Sequence, residues 1–218
     1  HSHRSSRRPL GYIKAFTYSD GDDIIRQEDS LGRATLFEYD VLHNLTKVTD
    51  PEGGVTTYGY DGRGNRTEAA DALGNVFAFS YDRADRMTAV TDPERKSASI
   101  VYDREGNIES VTMPGNRTVR YGYDGNYNRV SVTDPKGYVY GYVYDKDDRL
   151  IGTVDPLGQR ESYVYDDGNR LTAQTDKMGL TESYAYDAHG NVLSHTDAGG
   201  RVTSYAYDLK DRMTALVD

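Results

Sequence analysis

Apolar and polar positions alternate in short stretches of about six residues along 16–218, and clusters of Asp, Gly, Pro and Asn separate the stretches. In one set, an aromatic residue stands two positions before a tyrosine, as in Tyr58-Gly59-Tyr60, Phe79-Ser80-Tyr81 and Tyr163-Val164-Tyr165. Residues two apart share one face of a strand, so both rings point the same way. The residue between them is small or β-branched from Gly59 onward, through Ser80, Val101, Gly122, Val143, Val164, Ala185 and Ala206. The other set is rich in Thr and Val, as in Leu45-Thr46-Lys47-Val48-Thr49 and Met87-Thr88-Ala89-Val90-Thr91. Both sets therefore read as strands.

The pattern repeats every 21 residues. Its fixed points are Tyr39-Asp40, Tyr60-Asp61, Tyr81-Asp82, Tyr102-Asp103, Tyr123-Asp124, Tyr144-Asp145, Tyr165-Asp166, Tyr186-Asp187 and Tyr207-Asp208, with no insertion between copies. Tyr18-Ser19-Asp20 stands one period earlier as a tenth, degenerate copy. Other columns keep the same beat. The aromatic two residues before the tyrosine is missing only at Ile100. Asn or Arg stands five residues after it, from Asn44 to Arg212. An aspartate stands eleven after, from Asp29 to Asp218, with Met113 as the exception.

Two columns have turn chemistry. Asp50-Pro51-Glu52-Gly53, Asp134-Pro135-Lys136-Gly137 and Asp155-Pro156-Leu157-Gly158 put Asp first, Pro second and Gly fourth, where each suits a type I turn. Met113-Pro114-Gly115-Asn116, with Gly directly after Pro, implies a different turn type. The second column follows each tyrosine as Tyr-Asp-x-x-Gly-Asn in its commonest form. Its fourth position after Tyr reads His43, Gly64, Asp85, Gly106, Tyr127, Asp148, Asn169, Gly190 and Asp211. Gly, Asn, Asp and His are the residues that best tolerate positive φ. A type I turn followed by one left-handed residue is a common hairpin connection. Tyr127 does not fit, and Gly125-Asn126 beside it is expected to carry the bend instead.

Each repeat is thus one hairpin with short turns at both ends, and short turns force neighbouring strands to pair antiparallel. The expected fold is all-β: an open antiparallel meander of about ten 21-residue β-hairpins. A strip of this kind must coil, because sheets twist with a fixed hand. The tyrosine columns are expected to form ladders between neighbouring repeats. Residues 16–218 form the array, and 1–15 read as a linker or N-terminal extension, including the basic cluster from His1 to Arg8.

Composition narrows the picture. Only 36% of residues are hydrophobic and the mean hydropathy is −0.77. Such a chain cannot fill a thick aliphatic core. With 20 Tyr against 4 Phe and no Trp, tyrosine is the main apolar building block of a thin, one-layer fold. The net charge of −9 disfavours nucleic acid and anionic membrane surfaces, both of which require a basic face. No apolar run approaches the ~20 residues of a membrane span. There is no cysteine, so no disulfide contributes.

The recurring Tyr-Asp-x-x-Gly-Asn-x-x-x-x-x-Asp-Pro-x-Gly-x-x-x-x-Tyr-x-Tyr resembles the YD repeat of the Rhs family. That family includes bacterial polymorphic toxins, the shells of insecticidal toxin complexes and the teneurin shell. The resemblance implies a strip that spirals into a hollow shell around a C-terminal toxin, in a secreted or cell-surface protein. The partners it implies are the remainder of the parent chain and the enclosed toxin domain. Ten repeats are too few to close such a shell, so the chain reads as a segment of a longer one. The family's aspartate-based self-cleavage motif has no counterpart in this sequence.

Other chemistry is weaker. Asp20-Gly21-Asp22-Asp23 with Glu28 is the densest acidic cluster, but it lacks the alternating ligands and fixed glycine of a calcium loop. No cofactor or metal is expected. His1, His3, His43, His189 and His195 do not recur with a Ser or Asp partner, so no nucleophile–base pair is expected and the segment reads as non-enzymatic. The Asn/Arg column is expected to hydrogen-bond the neighbouring hairpin. Tyrosine-lined sheets can also stack on sugar rings, so a glycan or cell-surface binding module is the alternative function.

Overall fold

The computed structural model describes residues 4–7 and 13–218, with side chains from residue 15 onward. All of its regular structure is β. The chain forms two compact units, one of residues 1–101 with 111–116 and one of residues 102–110 with 117–218.

In the first unit lie β1 (Arg4–Arg7), β2 (Ile13–Tyr18), β3 (Ile24–Glu28), β4 (Ala34–Tyr39), β5 (Leu45–Thr49), β6 (Val55–Tyr60), β7 (Arg66–Ala70), β8 (Val76–Tyr81) and β9 (Met87–Thr91). The same unit takes all but the last residue of β10 (Ser97–Tyr102). Each strand from β1 to β9 pairs antiparallel with the next in sequence. β11 (Ile108–Met113) has residues in both units.

The second unit continues with β12 (Arg117–Tyr123), β13 (Arg129–Thr133), β14 (Val139–Tyr144), β15 (Leu150–Val154) and β16 (Arg160–Tyr165). It ends with β17 (Leu171–Thr175), β18 (Thr181–Tyr186), β19 (Val192–Thr196), β20 (Val202–Tyr207) and β21 (Met213–Val217). These strands too pair antiparallel in sequence order. Both units are meanders of the expected kind. Of the stretch 1–15, Arg4–Arg7 and Ile13–Ala15 have strand backbone, and residues 1–3 and 8–12 lie outside the described residues.

Both turn columns fold alike, except in the Met113–Asn116 copy, where Gly115 and Asn116 both take positive φ, at 83 and 57. After Tyr39, the Asp40 carbonyl accepts from the His43 amide and the Asp40 amide donates to the Asn44 carbonyl, at 3.1 and 3.0 Å. The turn from Asp50 to Gly54 repeats these two bonds. The left-handed residue sits fourth, at φ 63 in His43 and φ 87 in Gly53. One extra residue thus enters the ladder at Tyr39, Tyr60, Tyr81, Tyr123, Tyr144, Tyr165, Tyr186 and Tyr207, and the register shifts there, as between Gly59 and Tyr60. Tyr127 overturns one expectation. It takes φ 67 itself, because the backbone bonds from Asp124 to Tyr127 and Asn128 impose the same turn as elsewhere. Arg95 likewise takes φ 61 where most copies have glycine.

No hydrophobic residue is buried among the described residues. One sheet face carries the rings: in β16 Glu161, Tyr163 and Tyr165 are half-buried, while Arg160, Ser162 and Val164 are exposed. The ladder geometry differs from the expectation in one respect. Tyrosine copies stand two strands apart, ~9.6 Å at the usual strand spacing. Residues of the intervening strand fill the gap: Leu45, Leu150 and Leu171 stand opposite Tyr39, Tyr144 and Tyr165.

A backbone prediction follows. Gly158 has φ 80 and no atom within 4 Å of the place a Cβ would take, whereas Leu157 is 83% exposed. Gly158→Val is expected to destabilise by about 1–2 kcal/mol, through backbone strain alone. Leu157→Val should cost less than about 0.5 kcal/mol. Denaturant melts of the two variants check this, and equal midpoints contradict the turn assignment.

Candidate functional site

The repeat tyrosine does more than supply a ring. Tyr39, Tyr60, Tyr81, Tyr123, Tyr144, Tyr165 and Tyr186 each donate their hydroxyl to the backbone carbonyl fifteen residues earlier, at 2.7–3.3 Å. The acceptor is the first residue of the preceding strand: Ile24, Leu45, Arg66, Ile108, Arg129, Leu150 and Leu171. Pairing between hairpins stops short of this residue. In β5–β6 it runs from Thr49↔Val55 to Lys47↔Thr57 and leaves Leu45 outside. The phenol thus replaces a missing rung of the ladder, which phenylalanine cannot do. Tyr102 and Tyr207 close β10 and β20 at the equivalent positions.

The aspartate that follows organises the turn. Oδ1 of Asp40, Asp61, Asp82, Asp124, Asp145, Asp166, Asp187 and Asp208 accepts from the amides two and four residues on. Asp103 accepts from the Asn107 amide at 2.8 Å. Oδ2 then takes the side chain of the Asn/Arg column, as in Asn44 on Asp40 at 3.0 Å and Arg170 on Asp166 at 2.7 Å.

These bonds favour the carboxylate. The Asn side chains hold Asp40, Asp61, Asp103 and Asp187 below the usual range, as the Arg side chains hold Asp82 and Asp208. At Asp166 the Arg170 amide is the main cause. At Asp124 and Asp145 desolvation is the largest influence and pushes upward, but the backbone donors together with the Asn128 and Arg149 side chains outweigh it.

The Asn/Arg column also joins one hairpin to the next, as expected. Asn65 reaches Asp85 at 2.7 Å, Asn128 reaches Asp148 at 2.6 Å, and Asn191 reaches Asp211 at 2.8 Å. Arg149 and Arg170 donate to the carbonyls of Asp166 and Asp187, and lie 5.4 and 5.0 Å from the rings of Tyr165 and Tyr186. One donor column therefore serves its own turn, the next turn and the next tyrosine.

Histidine contacts between repeats were missed in the sequence. His43 pairs with Asp23 at 2.7 Å, and His189 with Asp211 at 3.0 Å. The partners lie 20 and 22 residues away, so only the repeat period reveals them. His195 stacks on Tyr184 with ring centroids 4.8 Å apart, and its Nε2 is 3.6 Å from Glu182. His1 and His3 lie outside the described residues. In the acidic cluster, Asp23 is engaged by His43 and Glu28 by Arg26. Among the described residues no three His, Asp or Glu side chains converge as metal ligands.

Comparison with known proteins agrees with this geometry. The teneurin YD-shell model matches residues 52–182, more than half of the chain, and the RHS repeat model matches 18–55 and 186–218. No curated protein shows detectable similarity. Among solved structures, the chain is similar to TcdB2-TccC3 without its hypervariable C-terminal region. The TM-score there is 0.66 and the identity 16%, over 98% of this chain and 13% of that one. It is also similar to the Tc holotoxin pore of Photorhabdus luminescens, with a TM-score of 0.54 and 14% identity, over 90% of this chain and 14% of that one. The chain spans about one seventh of the length of these relatives. With its hairpins, turn aspartates and bridging tyrosines in one repeating register, the chain belongs to the YD-shell family of Rhs-repeat proteins.

Proposed function

We propose that this chain is a stretch of shell wall that encloses a toxin or effector carried by the same longer protein, and that it acts outside the producing cell. The observation that carries the reading is the sheet itself. Among the described residues each of its two meanders buries no hydrophobic residue, and ladder pairing between consecutive hairpins holds each together. A sheet of this kind separates two spaces more readily than it builds a catalytic pocket. The role is structural and non-enzymatic, and the 18 tyrosines and aspartates of the repeat are its working residues.

The test uses the full-length protein that contains this segment. A domain inside an intact wall is expected to resist protease. Breaching the wall with Tyr165→Ala and Tyr186→Ala together should speed digestion of that domain at least tenfold. Equal digestion rates before and after the breach would sink the reading. Tyr138 and Tyr140 are exposed by 53% and 40%, which favours glycan stacking as a second reading. Saturable binding on a glycan array, lost in Tyr140→Ala, would support an adhesion module instead.

A further inference from the structure

In the turns after the repeat tyrosines, the left-handed position holds Gly, Asn, Asp or His in eight hairpins and tyrosine in one. A bulky residue at positive φ is an outlier, and such strain gathers where a side chain is held for use. Packing does not explain Tyr127, which is 61% exposed. It lines a cleft of about 420 Å³ together with Tyr121, Tyr123, Glu105, Asn107 and Glu109. That volume lies within the ~300–1,000 Å³ usual for small-molecule sites.

The charges in the cleft select the ligand. Asp103 and Asp124 also reach its wall, but donors of their own turns take their oxygens. No Lys or Arg lines the cleft to neutralise Glu105 and Glu109. An anion is repelled there, and a neutral sugar can hydrogen-bond the carboxylates but leaves their charge uncompensated. A cation gains from the carboxylates and from the ring faces. The chain already pairs cations with its rings: the Arg129 guanidinium lies 6.0 Å from the Tyr121 ring and 5.3 Å from that of Tyr142. This leaves Tyr123 and Tyr127 as the rings open to a ligand.

We infer that the Tyr127 cleft binds an organic ammonium group, either a small quaternary amine or the end of a lysine side chain. Glu105 and Glu109 supply the charge, and Tyr127 supplies an exposed ring of the lining.

Ligand-observed NMR on the folded chain tests this with choline, N-acetyl-lysine methylamide and glucose. Saturable binding of choline alone assigns a free quaternary amine, and binding of the lysine derivative alone assigns a peptide side chain. Glucose should not saturate. Glu105→Gln with Glu109→Gln is expected to weaken ammonium binding at least tenfold, with the fold retained in a thermal melt. Tyr127→Gly should weaken binding as much while leaving the melt unchanged or raised, because glycine accepts the turn without strain. The inference is overturned if neither ammonium probe saturates, if glucose binds as well as choline, or if both variants bind normally. A clearly lowered melt for Tyr127→Gly also overturns it, because the ring would then be structural.

Discussion

Tyr186→Ala is expected to lower stability by about 2–3 kcal/mol, and Tyr186→Phe by about 1 kcal/mol. The phenylalanine variant keeps the ring but leaves the Leu171 carbonyl without its 2.7 Å donor. The alanine variant also removes the platform 5.0 Å from the Arg170 guanidinium. Val164→Ala, at a site 54% exposed on the opposite face, should change stability by less than about 0.5 kcal/mol. In a meander each hairpin leans on its neighbours, so the damage should also be local. Amide exchange should rise first in β17, β18 and β19. If Tyr186→Phe and Val164→Ala prove equal in denaturant melts, the phenolic bridge contributes nothing.

The second large effect is collective. Asp40, Asp61, Asp82, Asp103, Asp124, Asp145, Asp166, Asp187 and Asp208 all have folded pKa values lowered by the donors of their turns. A lowered folded pKa means that the unfolded chain binds protons first as pH falls. The stability these groups contribute is complete above the unfolded value of about 3.9, and is lost as pH drops through the folded values. Thermal melts should therefore hold from pH 7 to about 5 and collapse below about 4. His189, raised chiefly by its bond to Asp211, works the other way. Its contribution is complete below about pH 6.5 and lost as pH rises through its raised value. One histidine against nine aspartates leaves the acid limb dominant. A melt temperature unchanged between pH 5 and pH 2.5 contradicts this account.

Much of the architecture was legible because turn chemistry is local. Asp50-Pro51-Glu52-Gly53 specifies its bend from four residues, and the structure places Gly53 at the left-handed position. Tyr127 shows the limit of residue preference. The sequence favoured Gly125-Asn126 for the bend, but the bonds from Asp124 fix the turn whatever stands fourth. What could not be read were contacts between hairpins that depend on register. The bond from Tyr186 to Leu171 needs the ladder to end short of Leu171, and no residue preference encodes that. The pairing of His43 with Asp23 is equally silent unless one strides a whole period along the chain.

The chain has no cysteine, so engineered pairs give an unambiguous readout of strand register between hairpins. Ala173 in β17 faces Ser183 in β18, across the seam from one hairpin to the next. Facing residues in antiparallel strands have Cα atoms ~4.5–5.5 Å apart, within disulfide range. Under mild oxidation, Ala173→Cys with Ser183→Cys should form an intramolecular disulfide. Ala173→Cys with Glu182→Cys, one residue out of register and on the other face, should stay reduced. The reverse outcome, or equal oxidation of both pairs, contradicts a sheet built by zipping successive 21-residue hairpins edge to edge.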